Sequence, residues 1–193
     1  MKTVCVIDGH PDPDPDRLIH ALCNAYQDGA VKAGHHLTTI RIADLAVCPL
    51  ETKASFTDPP DPLIQSERDK IRQADHVMLA FPLWLGSMPS KTRAFFEQAA
   101  RDSFFLATDQ GNRWPRRFMK GKSARIVVTM GMPALAYRTL MGSASLRAVE
   151  RGILGISGFK PIRHTIIGGV EDVEPNKCEQ WFEDMRVLGG NAE

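Results

Sequence analysis

The stretch Phe81-Pro82-Leu83-Trp84-Leu85-Gly86-Ser87-Met88-Pro89 holds the residue types best suited to chemistry. An apolar run, His76 to Ala80, precedes it, and a helical pattern, Ser90 to Ala99, follows. It reads as a loop at the carboxyl end of a buried parallel strand, where open α/β sheets bind ligands. Pro82 and Pro89 stiffen it and supply no N–H. The N–H groups between them, with Trp84, offer a hydrogen-bonding edge to a flat aromatic ligand. The alternative is a strand-to-helix connection whose Trp84 fills the core, and composition alone weighs the two equally.

Two more loops carry candidates. Gly9-His10-Pro11-Asp12-Pro13-Asp14-Pro15-Asp16-Arg17 follows the first strand. Proline at every second position holds it extended and delays the helix to Pro15 or later. Asp14 is expected to cap that helix, with Pro15 at its first position. A helix start of this kind favours an anion through its free N–H groups and dipole. Yet aspartates stand at 12, 14 and 16, and like charges about 4 Å apart near a surface repel by about 4 kcal/mol before relaxation. Either their side chains turn to solvent while backbone N–H groups and Arg17 hold an anion, or the anion site is altered. Asp14 and Asp16 also fit a purely capping role. The other loop is Met130-Gly131-Met132-Pro133-Ala134-Leu135-Ala136-Tyr137-Arg138. Met132 is adaptable enough to pack on a ring, and Tyr137 can stack or donate its hydroxyl. Tyr137 also reads as a half-buried surface residue.

The elements that position these loops alternate. Strands are expected at Lys2 to Asp8, His36 to Ile42, Val77 to Phe81, Ser123 to Met130 and Pro161 to Ile167. Helices are expected at Arg17 to Ala33, Pro62 to Ala74, Ser90 to Arg101, Ser143 to Ile153 and Glu174 to Leu188. Residues 44–62 and 102–122 read as irregular; the latter carry Phe104, Phe105, Trp114 and the basic Arg113, Arg116, Arg117, Lys120 and Lys122. Strand–helix alternation implies a parallel sheet covered on both faces, with right-handed crossovers.

The 193 residues suit one domain. Twenty-four Lys and Arg against 23 Asp and Glu leave a net charge of +1, so nothing draws the chain generally to nucleic acid or acidic membranes. Cys5, Cys23, Cys48 and Cys178 form no C-x-x-C pair, which argues against a zinc site or redox dithiol. Cys5 and Cys23 sit in apolar contexts and read as buried thiols. No apolar run reaches the length of a membrane span, and no signal-peptide pattern opens the chain. A reducing cytoplasm is the expected setting.

Pro82 to Pro89, followed by Lys91 and Phe95-Phe96, resembles the flavin-contacting loop of the NAD(P)H:quinone reductase branch of the flavodoxin-like flavoproteins. With the His10-Pro11 and Ala21-Leu22 pairs and the Gly131 loop, the resemblance spans roughly residues 3 to 170. It implies a flavodoxin-like, doubly wound, five-stranded parallel sheet of order 2-1-3-4-5 as one domain over 1–193. It implies a bound flavin, NAD(P)H as co-substrate, a quinone or similar electron-poor acceptor, and a homodimer with the flavin at the interface. FMN is slightly favoured over FAD, because no segment offers an adenine pocket. By this resemblance His10, Asp16, Arg17 and Leu18 would lie at the flavin phosphate. Pro82, Leu83, Trp84, Leu85 and Gly86 would lie along the ring, and Met130, Gly131, Met132 and Tyr137 on its other side. Tyr137 would be the polar, catalytic group near the acceptor. The chain departs from the family at Asp16, Arg17 and Ile19, where Ser or Thr and then Asn are usual. It departs again at Met132-Pro133, which replace a Gly and its successor.

Other readings are weaker. A non-catalytic flavodoxin-like module that regulates a partner would fit the Asp-rich first loop. His10-Pro11-Asp12 is similar to a metal motif of zinc-dependent N-deacetylases, but no later His pair has helical ligand spacing. Gly121-Lys122-Ser123 lacks the earlier Gly of a P-loop, and no G-x-G-x-x-G follows a strand. The basic residues 113–122 read either as a solvated face or as contacts to the 2′-phosphate of NADPH or an acidic partner.

Overall fold

The fold was obtained as a computed structural model, which describes residues 1–107, 115–171 and 173–193. The apolar runs form β1 (Thr3–Asp8), β2 (His36–Arg41) and β3 (His76–Pro82). A two-residue antiparallel hairpin follows, β4 (Leu106–Ala107) and β5 (Arg116–Arg117), then β6 (Ser123–Met130) and β7 (Ile162–Gly168). The five long strands make one parallel sheet in the order β2-β1-β3-β6-β7. Setting the hairpin aside, this is the expected 2-1-3-4-5, and strand order reverses between β1 and β3. All seven residues of β3 are buried, as a central strand covered on both faces requires.

The helices are α1 (Leu18–Lys32), α2 (Pro62–Gln73), α3 (Ser90–Ala99), α4 (Ala134–Thr139), α5 (Ala144–Arg147) and α6 (Pro175–Asn191). A π-type stretch, Ala148–Gly155, continues α5. One core lies under α2, α3 and the α5 segment, with Phe81, Phe95, Phe96 and Tyr137 among its members. The other lies under α1 and α6 around Leu22, Tyr26, Met78 and Met185. Cys5 and Cys23 are buried as expected, and burial raises the Cys5 thiol to about 12 and Cys23 well above its usual value.

Two local expectations change. Helix α1 starts at Leu18 with Arg17 as its cap position and no side-chain cap, because the Asp14 carboxylate is spent on the N–H of Asp16. Residues Ala134 to Thr139, expected as loop, form α4, which Pro133 starts with its fixed φ of −58°. Phe104 and Phe105, in the stretch expected to be irregular, are buried. Their rings pack 4.8 Å apart, and the Arg68 and Arg72 guanidinium groups each sit 5.0 Å from the Phe104 centroid. Trp114 and Arg113 lie outside the described residues.

His76, at the amino end of β3, is an unsolvated imidazole. Its Nδ1 lies 2.7 Å from Ser123 Oγ, while Nε2 is buried with no partner among the described residues. Burial first, then the positive charges of Lys2, Arg125, Arg163 and His35, lower its pKa from 6.5 to about 3. Between those values the unfolded chain binds the extra proton and the folded chain does not, so stability falls as pH drops below 6.5. At pH 5 the loss is about 2 kcal/mol. Urea unfolding of His76→Asn should show that much less difference between pH 7 and pH 5 than the parent chain. An unchanged difference would mean that His76 is protonated normally in the fold.

Candidate functional site

Three loops meet at the carboxyl ends of β1, β3 and β6, at the reversal of strand order. Gly9 ties the first to the second: its N–H donates to Ala80 O at 2.7 Å, and the Thr92 hydroxyl at the start of α3 donates to Gly9 O at 2.6 Å. A Cβ at Gly9 would stand 2.6 Å from Ala80 O, so only glycine allows this approach.

The β3 loop ends in a tight turn. Trp84 and Ser87 exchange both backbone hydrogen bonds at 2.9 Å, with Leu85 at φ 47° and Gly86 at φ 75°. Two successive positive φ values define a type I′ turn. The N–H of Leu83 donates to Thr129 O at 2.8 Å and that of Trp84 closes the turn. Of the four N–H groups from Leu83 to Gly86, those of Leu85 and Gly86 have no acceptor among the described residues. The Leu85 side chain is fully exposed and Trp84 is 48% exposed, so Trp84 is not core filling. The His10 ring meets Trp84 edge-on, with centroids 5.7 Å apart. Pro82 is buried beneath the turn.

The first loop is organised by side chains that take up its own backbone donors. Asp8 Oδ1 accepts from His10 N at 3.2 Å, His10 Nδ1 from Asp12 N at 3.1 Å, Asp12 Oδ1 from Asp14 N at 3.0 Å and Asp14 Oδ1 from Asp16 N at 3.1 Å. Residues 11, 13 and 15 are prolines, so no N–H from His10 to Asp16 is left free. Arg17 is held as well: Nε and Nη2 reach Asp12 Oδ2 at 2.9 and 2.8 Å, and Nη2 reaches Asp14 Oδ2 at 2.9 Å. The N–H of Asp14, then the charge of Arg17, hold the Asp12 carboxyl below its usual range. The N–H groups of Leu18 and Ile19, in the first turn of α1, have no acceptor among the described residues.

Below this loop lies a pair that the sequence reading missed. His20 Nδ1 sits 2.5 Å from Asp8 Oδ2 and its Nε2 2.9 Å from Asp12 O, with both side chains about 5% exposed. Each ring nitrogen therefore faces an oxygen. The bonds are complete with a proton on both nitrogens, or with one of those protons on the carboxyl. The only sequence signal was a carboxylate ending an apolar strand and a histidine one turn into the next helix. Since the His10 Nδ1 acceptor is taken, its proton is on Nε2. Burial first, then His20, lower the pKa of His10.

The β6 loop is less open than expected. Met130 is buried, Met132 is 39% exposed, and the Glu171 carboxylate lies so close over Gly131 that a Cβ there would stand 2.5 Å from its oxygen. Tyr137, expected beside an acceptor, is fully buried, and its hydroxyl accepts from Leu146 N at 3.1 Å. In this arrangement it pins α4 to α5 and does not line the crevice. Met141, between these helices, reaches the turn: a Cβ on Gly86 would meet its terminal carbon at 2.9 Å. Arg116, Arg117 and Lys120 are exposed, whereas Lys122 donates to Arg72 O and Ala74 O at the far end of the sheet.

An open, doubly wound parallel sheet binds its ligands beyond the carboxyl ends of the strands at the reversal of strand order, which here lies between β1 and β3. The chain matches the family described as "Flavodoxin-like fold" over residues 2–187 and belongs to it. An FMN-dependent NADH:quinone oxidoreductase of Alcanivorax borkumensis is 27% identical over 127 residues, 58% of this chain and 62% of that protein. An uncharacterised NAD(P)H oxidoreductase of Haemophilus influenzae is 22% identical over 121 residues, 62% of this chain and 59% of that one. The chain thus spans about three fifths of the length of these curated relatives. Among solved structures, an NAD(P)H:quinone oxidoreductase from Methanothermobacter marburgensis superimposes with a TM-score of 0.83 at 19% identity, covering 100% of this chain and 99% of that one. An FMN-dependent NADH-azoreductase from Bacillus anthracis, solved with FMN, gives 0.78 at 10% identity, covering 99% of each chain. At these identities the likeness is one of fold.

The residues fit a flavin unevenly. The exposed turn, with two free N–H groups beside Trp84, suits the polar edge and face of the ring. The first loop, its donors from His10 to Asp16 spent on its own side chains, does not suit a phosphate as it stands.

Proposed function

We propose that the chain is a flavin-dependent NAD(P)H oxidoreductase that reduces a quinone or similar electron-poor acceptor. The observation that carries the reading is the Trp84–Ser87 turn, two free N–H groups at the strand-order reversal of a flavodoxin-like sheet. A bound flavin would supply the hydride chemistry, between NAD(P)H and acceptor. The chain would supply orientation: the N–H groups of Leu85 and Gly86 aimed at the polar edge of the ring as fixed dipoles, Trp84 and Pro82 shaping its seat, and Met132 and Gly131 bounding the other side. Leu18, at the start of α1, would lie toward the ribityl end. His10, Asp16 and Arg17 would form the wall there. Tyr137 would act by positioning the α4–α5 segment. The cofactor named for the Alcanivorax relative, FMN, supports a flavin here, as does NADH as the reductant. The exposed apolar side chains of Leu85, Leu135, Leu140 and Met141 near the crevice suit a homodimer that covers it. No helix among the described residues is long and apolar enough to cross a membrane, and the reading carries a reducing, cytoplasmic setting.

The test is a visible spectrum after reconstitution with flavin, followed by anaerobic NADH or NADPH. Flavin bands should appear and then bleach, and a quinone should restore them. Bands that resist both reductants would favour the second reading, a non-catalytic flavodoxin-like module that regulates a partner. A zinc hydrolase is disfavoured, since His10 Nδ1 and both nitrogens of His20 are already hydrogen-bonded within the chain.

A further inference from the structure

We infer that Asp12 and Asp14 occupy the anion position of the first loop themselves, so that the crevice selects the flavin by its ring and takes an unphosphorylated flavin as readily as FMN. The inference rests on the flavin reading above and concerns what recognises the ligand. An anion pocket at a helix start needs free N–H groups or an uncommitted cation. From His10 to Asp16 the chain has neither: four N–H groups are bonded to side chains, three positions are prolines, and Arg17 is clamped between two carboxylates. The Asp12 and Asp14 carboxylates make the contacts that phosphate oxygens would make, to backbone N–H groups and to a guanidinium. The donors still free, on Leu18 and Ile19, lie at the foot of this acidic run, where a phosphate carrying nearly two negative charges is repelled.

The spacing is self-consistent. Each accepting side chain serves the N–H two residues on, so acceptors must recur at 8, 10, 12 and 14, and prolines fall between them where no donor needs a partner. This alternation makes the closed loop a property of the sequence and independent of any bound group. It also gives the ring end the whole of the selectivity. The ligand class is then a flat, uncharged isoalloxazine with a hydrogen-bonding edge, and a ribityl phosphate or adenylate adds nothing to affinity.

The experiment compares riboflavin and FMN by calorimetric titration of the whole chain at pH 7 and low salt. It is repeated with the double variant Asp12→Asn and Asp14→Asn. Asparagine keeps an oxygen for the N–H two residues on, so the loop retains its shape, while Arg17 loses both ionic partners. The parent chain should bind the two flavins within about threefold of each other. The variant should bind FMN at least tenfold more tightly than riboflavin, with riboflavin unchanged. A parent chain that prefers FMN by tenfold or more overturns the inference and leaves the flavin reading standing. A variant with no gain for FMN overturns it too. If neither flavin binds the parent chain, the flavin reading itself fails and the inference falls with it.

Discussion

Replacing His20 by alanine should lower the unfolding free energy by about 3–5 kcal/mol, the usual cost of orphaning one member of a buried pair. In a chain of this length that is a fall in Tm of roughly 6–20 °C. The Asp8 carboxyl would lose its contact at 2.5 Å and keep only the N–H of His10, at 3.2 Å, in a site where it is 4% exposed. Asp12 O would lose its partner as well, and with it the support of the first loop. The effect is specific to leaving the carboxyl alone. The double variant Asp8→Asn and His20→Leu should be more stable than His20→Ala by about 2 kcal/mol, because no charge is then buried unpaired. Urea unfolding of the parent, Asp8→Asn, His20→Leu and the double variant gives the coupling. Additive losses would mean that the two residues act separately and that their close contact contributes nothing.

The second large effect is far from the crevice. Gly189→Ala should destabilise by about 1–3 kcal/mol or more, although alanine is the better helix former by about 1 kcal/mol. Helices α1 and α6 cross with their backbones in contact. A Cβ on Gly189 would stand 1.9 Å from Tyr26 O, and one on Gly29 the same distance from Arg186 O. A methyl group fits only if the helix axes move apart, which loosens Leu22, Tyr26 and Met185 beneath them. Gly190 is the control one residue along. A Cβ there would meet Gly29 O at 3.6 Å and Ala33 Cβ at 3.9 Å, ordinary contacts. Gly190→Ala should therefore be neutral or stabilising by up to about 1 kcal/mol. If Gly189→Ala were as harmless as its neighbour, the two helices would not be in backbone contact at that point.

The alternation of apolar strands and amphipathic helices made the sheet legible, because each strand buried on both faces shows as a continuous apolar run. The Pro82 to Pro89 segment was legible as a loop for the same reason: it had to leave the carboxyl end of a central strand. Two kinds of feature were not legible. Tyr137 reads from sequence as exposed or at the site, yet the turn between α4 and α5 folds it inward onto Leu146 N. Nothing local encodes that packing. The last helix reads from sequence as ending at Leu188, yet α6 runs on to Asn191, and α1 lies against Gly189 so closely that no side chain fits there.

The sequence by itself determined the class of fold, the three loops at the carboxyl ends of β1, β3 and β6, and the proline-aspartate alternation of the first. These are written in periodicity and in residues whose backbone limits are intrinsic. Only the tertiary structure decided which donors those loops leave free. The Asp8–His20 pair forms between the end of a strand and the first turn of a helix, and Thr92 reaches Gly9 across 83 positions. Whether an N–H in a loop is offered to a ligand or is already satisfied depends on which side chains folding brings within about 3 Å of it. Residue order fixes the donors and acceptors that exist, and the packing of the sheet and helices chooses among them.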